Sequence, residues 1–191
     1  MVAQELAIDH PDRVDGLVLV ATTPGWPLAY PMPAALVYLI AAAGSMPREV
    51  ALRHHAENAL SAHSTQRRPE LTDRLVELQR SRPTHPGVWP AQAAAGARYA
   101  GRLRQTRIRA RTLVLQGASD TVVDPRNGKL LAHRIPGAQL VVFPELGHLL
   151  FWQDPDSFTA EVMSFLTHVP TSRHDAAAPP RSVVSSWRSY R

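Results

Sequence analysis

Residues 111–158 read RTLVLQGASDTVVDPRNGKLLAHRIPGAQLVVFPELGHLLFWQDPDSF. An apolar run at 112–116 is stopped by Gly117, and a second, QLVVFP at 139–144, comes after NGKLLAHRI, which has helical spacing and is closed by Pro136 and Gly137. A last helix is expected over 155–168, with Asp154 or Asp156 as its N-cap and Phe158, Val162, Phe165 and Leu166 facing inward. Strand, helix, strand, helix is the alternation of a βαβ crossover, which sets the two strands side by side in a parallel sheet.

Towards the N-terminus, residues 1–9 place Met1, Val2, Leu6 and Ala7 near one helical face. The run at 16–21 then begins GLVLV with no polar alternation, which suits a central parallel strand covered on both faces. Residues 1–26 thus form a core helix and strand. Residues 27–105 change character: they are rich in alanine, interrupted by Pro27, Pro31 and Pro33, and repeat Leu52, Ala56, Leu60 and then Leu71, Leu75, Leu78 at helical intervals. Three or four helices and no strand are expected there, with SRPTHPGVWP, 81–90, as a loop between two of them. The core resumes over 106–168. The fold class is α/β, three parallel strands with flanking helices and an all-helical insertion after the first strand. Residues 169–191, rich in Pro, Ser, Ala and Arg without a sustained period, are expected to be a disordered basic tail.

Composition narrows the classes of function. A chain of 191 residues, 45% hydrophobic and 19% charged, has the make-up of one globular domain. It has 0 cysteines, which excludes a disulfide scaffold, a thiolate metal site and a cysteine nucleophile. The longest apolar run, PAALVYLIAAA at 33–43, has 11 residues, short of the roughly 20 that a membrane-spanning helix needs. The first residues lack a secretory pattern, so a cytoplasmic protein with no membrane partner is expected. Of the net charge of +5, +3 falls on 169–191, where Arg173, Arg181, Arg188 and Arg191 stand against Asp175. The high pI therefore says little about a nucleic-acid partner for the folded part.

In parallel α/β sheets the loops at the carboxyl ends of strands converge on one crevice. Asp120 lies three residues past Gly117, and His148 comes directly after Gly147 beyond the next strand. An Asp that orients a His, and a His that serves as general base and acid, are two parts of an acyl-transfer triad. Asp120 alone also reads as a turn-closing residue, and His148 alone as a structural histidine donating to a carbonyl. Asp124, just before Pro125, reads as a helix cap.

Together these residues resemble the α/β-hydrolase family. GASD at 117–120 looks like the family's acid turn, and ELGHLLFWQDPDSF at 145–158 looks like its histidine loop and final helix. MVAQELAIDHPDRVDGLVLVATTPG, 1–25, resembles the segment just after the family's nucleophile elbow, Gly-x-Ser-x-Gly. The resemblance implies that 27–105 is a cap over the pocket and that the three strands are the last three of the family's sheet. It also implies that five earlier strands, the nucleophile and the oxyanion donors lie outside this sequence. Asp120 and His148 would be acid and base of a hydrolase acting on ester or related acyl bonds of small hydrophobic substrates, with no cofactor and no metal. The chain alone would be inactive, and the outer edge of the strand at 16–21 would invite self-association. Esterase, lactonase, dehalogenase, haloperoxidase and peptidase chemistry all remain open.

Other candidates carry less. Ser45, Ser61, Ser64 and Ser81 lie in the insertion and Ser119 beside Asp120, none of them in a glycine elbow. His54 and His55 are neighbours on a helix and cannot form the i, i+4 pair of a zinc helix. RYAGRLRQTRIRAR, 98–111, has six arginines and no acid; it sits where the insertion returns to the sheet, and arginines there can coat a hinge or pair with Glu70, Asp73 and Glu77. Neither a dinucleotide nor a Walker-type glycine loop is present.

Overall fold

The computed structural model describes residues 1–82, 88–99 and 104–169. The tail expected over 169–191 lies outside the described residues except for Val169, as do 83–87 of the loop expected at 81–90 and 100–103 of the arginine segment; that loop is shorter than expected, since Ser81 ends one helix and Val88 begins the next.

Three parallel strands, β1 (Gly16–Val20), β2 (Arg111–Gly117) and β3 (Gln139–Phe143), pair in the order β1-β2-β3. Leu17 and Leu19 of β1 join Val114 of β2 in one apolar cluster, and Val18 and Val20 join Leu113 and Leu115 in another. The two-residue period thus sends alternate side chains to opposite faces, and both faces are covered. The first cluster is completed by Ala7 and Ile8 of α1 (Val2–Asp9) and Leu131 of α7 (Arg126–Arg134). The second is closed by Leu150 of α8 (Leu150–Gln153) and Phe165 of α9 (Pro155–Leu166).

Between β1 and β2 lie α2 (Ala34–Ala42), α3 (Arg48–Ala59), α4 (Ala62–Arg67), α5 (Pro69–Ser81) and α6 (Val88–Arg98). This is more than the three or four helices expected, because a serine-capped break at Ser61 separates α3 from α4. Ala56, Leu60, Leu71, Leu75 and Val76 form the insertion's own core, into which Leu149 and Trp152 of the segment after β3 are packed. Trp152 Nε1 donates to the Leu71 carbonyl at 3.3 Å, and the Arg74 guanidinium lies 5.6 Å from its ring centroid.

Some faces differ from those the periodicity suggests. In α1 the buried residues are Gln4, Ala7 and Ile8, while Met1, Val2 and Leu6 are exposed. The polar Gln4 is accommodated on the buried face because its amide donates to the Thr23 carbonyl at 3.0 Å. Leu78 and Leu166 are also exposed, each at the C-terminal end of its helix. Asp154 caps α9, accepting from the Ser157 N–H at 3.1 Å.

Among the described residues, the arginine segment is bonded to α1 through Arg104, not to the insertion's Asp73 or Glu77. Arg104 pairs with Glu5 at 3.1 Å and with Asp9, both on α1, whereas Asp73 pairs with Arg53 and Glu77 with Arg80. No helix among the described residues is long and apolar enough to cross a membrane.

Candidate active site

The register of the sheet places Gly117 opposite Phe143, so β2 and β3 end level and the loops after them leave the same edge together. Backbone bonds hold the two loops: Ala118 N–H donates to the Phe143 carbonyl at 2.9 Å and Ser119 N–H to that of Leu146 at 3.0 Å. The approach demands glycine. A Cβ on Gly117 would stand 2.3 Å from the carbonyl oxygens of Leu146 and Gly147, and one on Gly147 would stand 2.8 Å from the Leu60 carbonyl carbon and the Ser61 nitrogen.

This packing brings Asp120 and His148 together, with His148 Nδ1 3.0 Å from Asp120 Oδ2. The Asp120 side chain is 0% exposed and that of His148 26%. Asp120 Oδ1 accepts the N–H groups of Val122 and Val123 at 2.8 and 2.9 Å, and Oδ2 also accepts from Gln116 Nε2 at 3.2 Å. Four donors therefore converge on one carboxylate and fix its plane. An acceptor at Nδ1 requires that nitrogen to carry the ring proton, which makes Nε2 the basic nitrogen of the neutral imidazole.

The insertion reaches this same place. His148 and Leu149 N–H both donate to the Ala59 carbonyl, at 3.0 and 3.1 Å, and Thr121 Oγ1 donates to that of Asn58 at 2.6 Å. Gln153 Oε1 accepts from Ser61 and Gly147 N–H at 2.9 and 3.2 Å. The end of α3 is thus bonded to both the acid loop and the histidine loop. Beyond it, His63 Nε2 lies 3.1 Å from Glu145. An open groove of about 720 Å³ runs beside the acid loop, lined by Asn58, His63, Gln66, Ser119 and Thr121 among others, and His148 does not line it.

The other sequence candidates stand apart from the pair. Asp124 accepts from the Arg126 N–H at 2.9 Å, opening α7, and the Arg126 guanidinium holds its carboxyl below the ordinary value. Ser61 and Ser64 bond each other in the insertion, while Ser45 and Ser81 donate to carbonyls of their own helical turns. Ser119 Oγ donates to the Pro144 carbonyl at 3.4 Å. His54 lies 3.9 Å from Glu57. Among the described residues no group of three His, Cys, Asp or Glu is placed to hold a metal ion. Gln116 and Gln153 were not singled out from the sequence; a polar residue ending the apolar strand TLVLQ was the available signal for the first.

The fold and these two loops define a class, and a family profile for the alpha/beta hydrolase fold matches residues 1–155, so the chain belongs to that family. Among its relatives, the 2-hydroxymuconate semialdehyde hydrolase of Pseudomonas putida is 32% identical over 86% of this chain and 58% of its own. The poly(3-hydroxyalkanoate) depolymerase of Ectopseudomonas oleovorans is 30% identical over 94% of this chain and 60% of its own. A solved structure described as Est816, an N-acyl homoserine lactone degrading enzyme, superposes with a TM-score of 0.68 at 31% identity, covering 86% of this chain and 63% of that one. The chain spans about three fifths of the length of these relatives.

Proposed function

We propose that this chain carries the acid and the base of a hydrolase that cleaves ester or related acyl bonds in small hydrophobic substrates. The observation that carries the reading is the buried Asp120 carboxylate bonded to Nδ1 of the partly exposed His148. In this reading His148 Nε2 takes the proton of an attacking hydroxyl as the nucleophile–carbonyl bond forms, then gives it to the leaving group as the bond from the carbonyl carbon to that group breaks. Asp120 keeps the proton on Nδ1 and stabilises the imidazolium that forms in between. Residues 27–105 act as the cap over the substrate.

The nucleophile and the oxyanion donors come from outside these 191 residues. Two facts support this: the chain spans about three fifths of its relatives, and Ser45, Ser61, Ser64, Ser81 and Ser119 are each already bonded elsewhere. The purified chain is therefore expected to show no turnover of a simple aryl ester above background. A longer protein that includes preceding residues is expected to turn it over, and Asp120→Asn there should lower kcat by about 10⁴-fold through the wrong tautomer. Turnover by the 191-residue chain that disappears in His148→Ala would overturn the placement of the nucleophile.

The edge of β1 favours a further reading. Among the described residues β1 pairs with β2 alone, while Leu17 and Leu19 are buried beneath it. An unpaired apolar strand edge promotes pairing with another chain. Self-association that grows with concentration is expected in sedimentation velocity, and a monomer at every concentration would count against it. Cytoplasmic action without a nucleic-acid partner completes the proposal, and cell fractionation tests its location.

A further inference from the structure

We infer that Gln153 is a positioning residue for His148, acting through the insertion; the inference rests on the reading of His148 as the base. Gln153 is fully buried at the end of α8, yet it touches neither His148 nor Asp120 by any hydrogen bond of its side chain. Its single Oε1 instead accepts two backbone N–H groups, those of Gly147 and Ser61. Gly147 precedes His148 in the chain, and the next two N–H groups, of His148 and Leu149, both end on the Ala59 carbonyl. Three consecutive N–H groups around the base are thereby held by two acceptors. The Gln153 oxygen also binds Ser61, two residues from Ala59, so the acceptors are joined through the turn 59–61.

The arrangement uses only half of the amide. Gln153 Nε2 has no partner among the described residues, whereas Oε1 has both of its lone pairs engaged. The site therefore requires an acceptor and makes no use of the donor. The Gln153 carbonyl accepts from the Arg68 guanidinium of the insertion, which adds a second bond across the same junction and places a cation nearby. A glutamate of the same length would offer an acceptor oxygen to both N–H groups, whereas a methionine of similar volume would leave both unpaired. Loss of the acceptor frees Gly147, and with it the backbone torsions that aim the His148 ring at Asp120.

The test is NMR of the chain and its variants. The parent chain should show a low-field Nδ1 proton from the His148–Asp120 bond, absent in His148→Ala, and slow amide exchange at Gly147 and Ser61. In Gln153→Met the ring proton should broaden or vanish and exchange at Gly147 and Ser61 should quicken at least tenfold, while Val122 and Val123 keep their protection. Gln153→Glu should restore both signals. A folded Gln153→Met with an unchanged ring proton, or a Gln153→Glu that behaves like it, would overturn the positioning role and leave the pair intact. Absence of the low-field proton from the parent chain would remove the pair, and the hydrolase reading with it. If Gln153→Met does not fold, rapid exchange at Gly147 in the parent chain beside a protected His148 amide would still refute the tether.

Discussion

A missing Cβ at Gly117 lets the acid and histidine loops touch, and one at Gly147 lets the histidine loop lie against Leu60 and Ser61 of the insertion. At Gly117 the neighbours are backbone carbonyls, which cannot swing aside as a flexible side chain does. Gly117→Ala is therefore expected to cost about 1–3 kcal/mol in urea unfolding, the range of overpacking in a tight interior. Gly44→Ala, where nothing lies within 4 Å, should change stability little and serves as the comparison. At this scale Asp120 and His148 were readable as a candidate pair because each lies within a few residues of the end of an apolar strand pattern and after a glycine, a signal contained in the local sequence. Gln153 was not, since its main partner Ser61 is 92 residues away and no local spacing encodes that meeting.

Elements owe their ends to single side chains. Asp154 opens α9 by accepting from the Ser157 N–H, and hydrogen bonds from Ser157, its side chain first and then its backbone, hold the Asp154 carboxyl below the ordinary 3.8. A carboxylate whose pKa is depressed by folding stabilises fully above its unfolded value and loses that contribution as pH falls through the folded one. The cap should thus be complete near neutrality and weaken below about pH 4. Asp154→Ala is expected to cost about 1 kcal/mol at pH 7, as helix caps do, and the difference from the parent should shrink in acid, both read by thermal unfolding. The strands and the crossover helix were readable from period and punctuation. The buried face of α1 was not, because it includes the polar Gln4, whose amide is satisfied by the Thr23 carbonyl 19 residues away. Helix number in the insertion was likewise obscured, since α3 and α4 run together in VALRHHAENALSAH and only the Ser61 cap divides them.

Across the whole molecule, both crossings between insertion and sheet meet on α1. Tyr99 donates its hydroxyl to Glu5 at 2.9 Å, Arg104 pairs with Glu5 and Asp9, and Gln105 donates to the Pro24 carbonyl at 2.8 Å. Burial, with the bond to Glu5 as the next cause, raises the Tyr99 hydroxyl above its ordinary 10.0. A group raised by folding contributes fully below its unfolded value, so this contribution should be lost as pH climbs beyond about 10. Tyr99→Phe should flatten that alkaline decline. Arg104→Ala should speed limited proteolysis near 24–30 and 104–107 without altering the bond between His148 and Asp120. Glu5 and Asp9 lie 94 to 99 residues from Tyr99 and Arg104, so no local spacing in the arginine segment named its acids. Sequence distance has a kinetic consequence as well. Asp120 and His148 are 28 residues apart and share one crossover unit, whereas Gln153 must find Ser61 across 92. Closing the longer loop costs about 1 kcal/mol more in chain entropy. The dyad is therefore expected to be built early in folding and fastened late. Substitutions in the β2–α7–β3 unit should slow folding, and those at Ser61 or Gln153 should mainly hasten unfolding, which stopped-flow chevrons would separate.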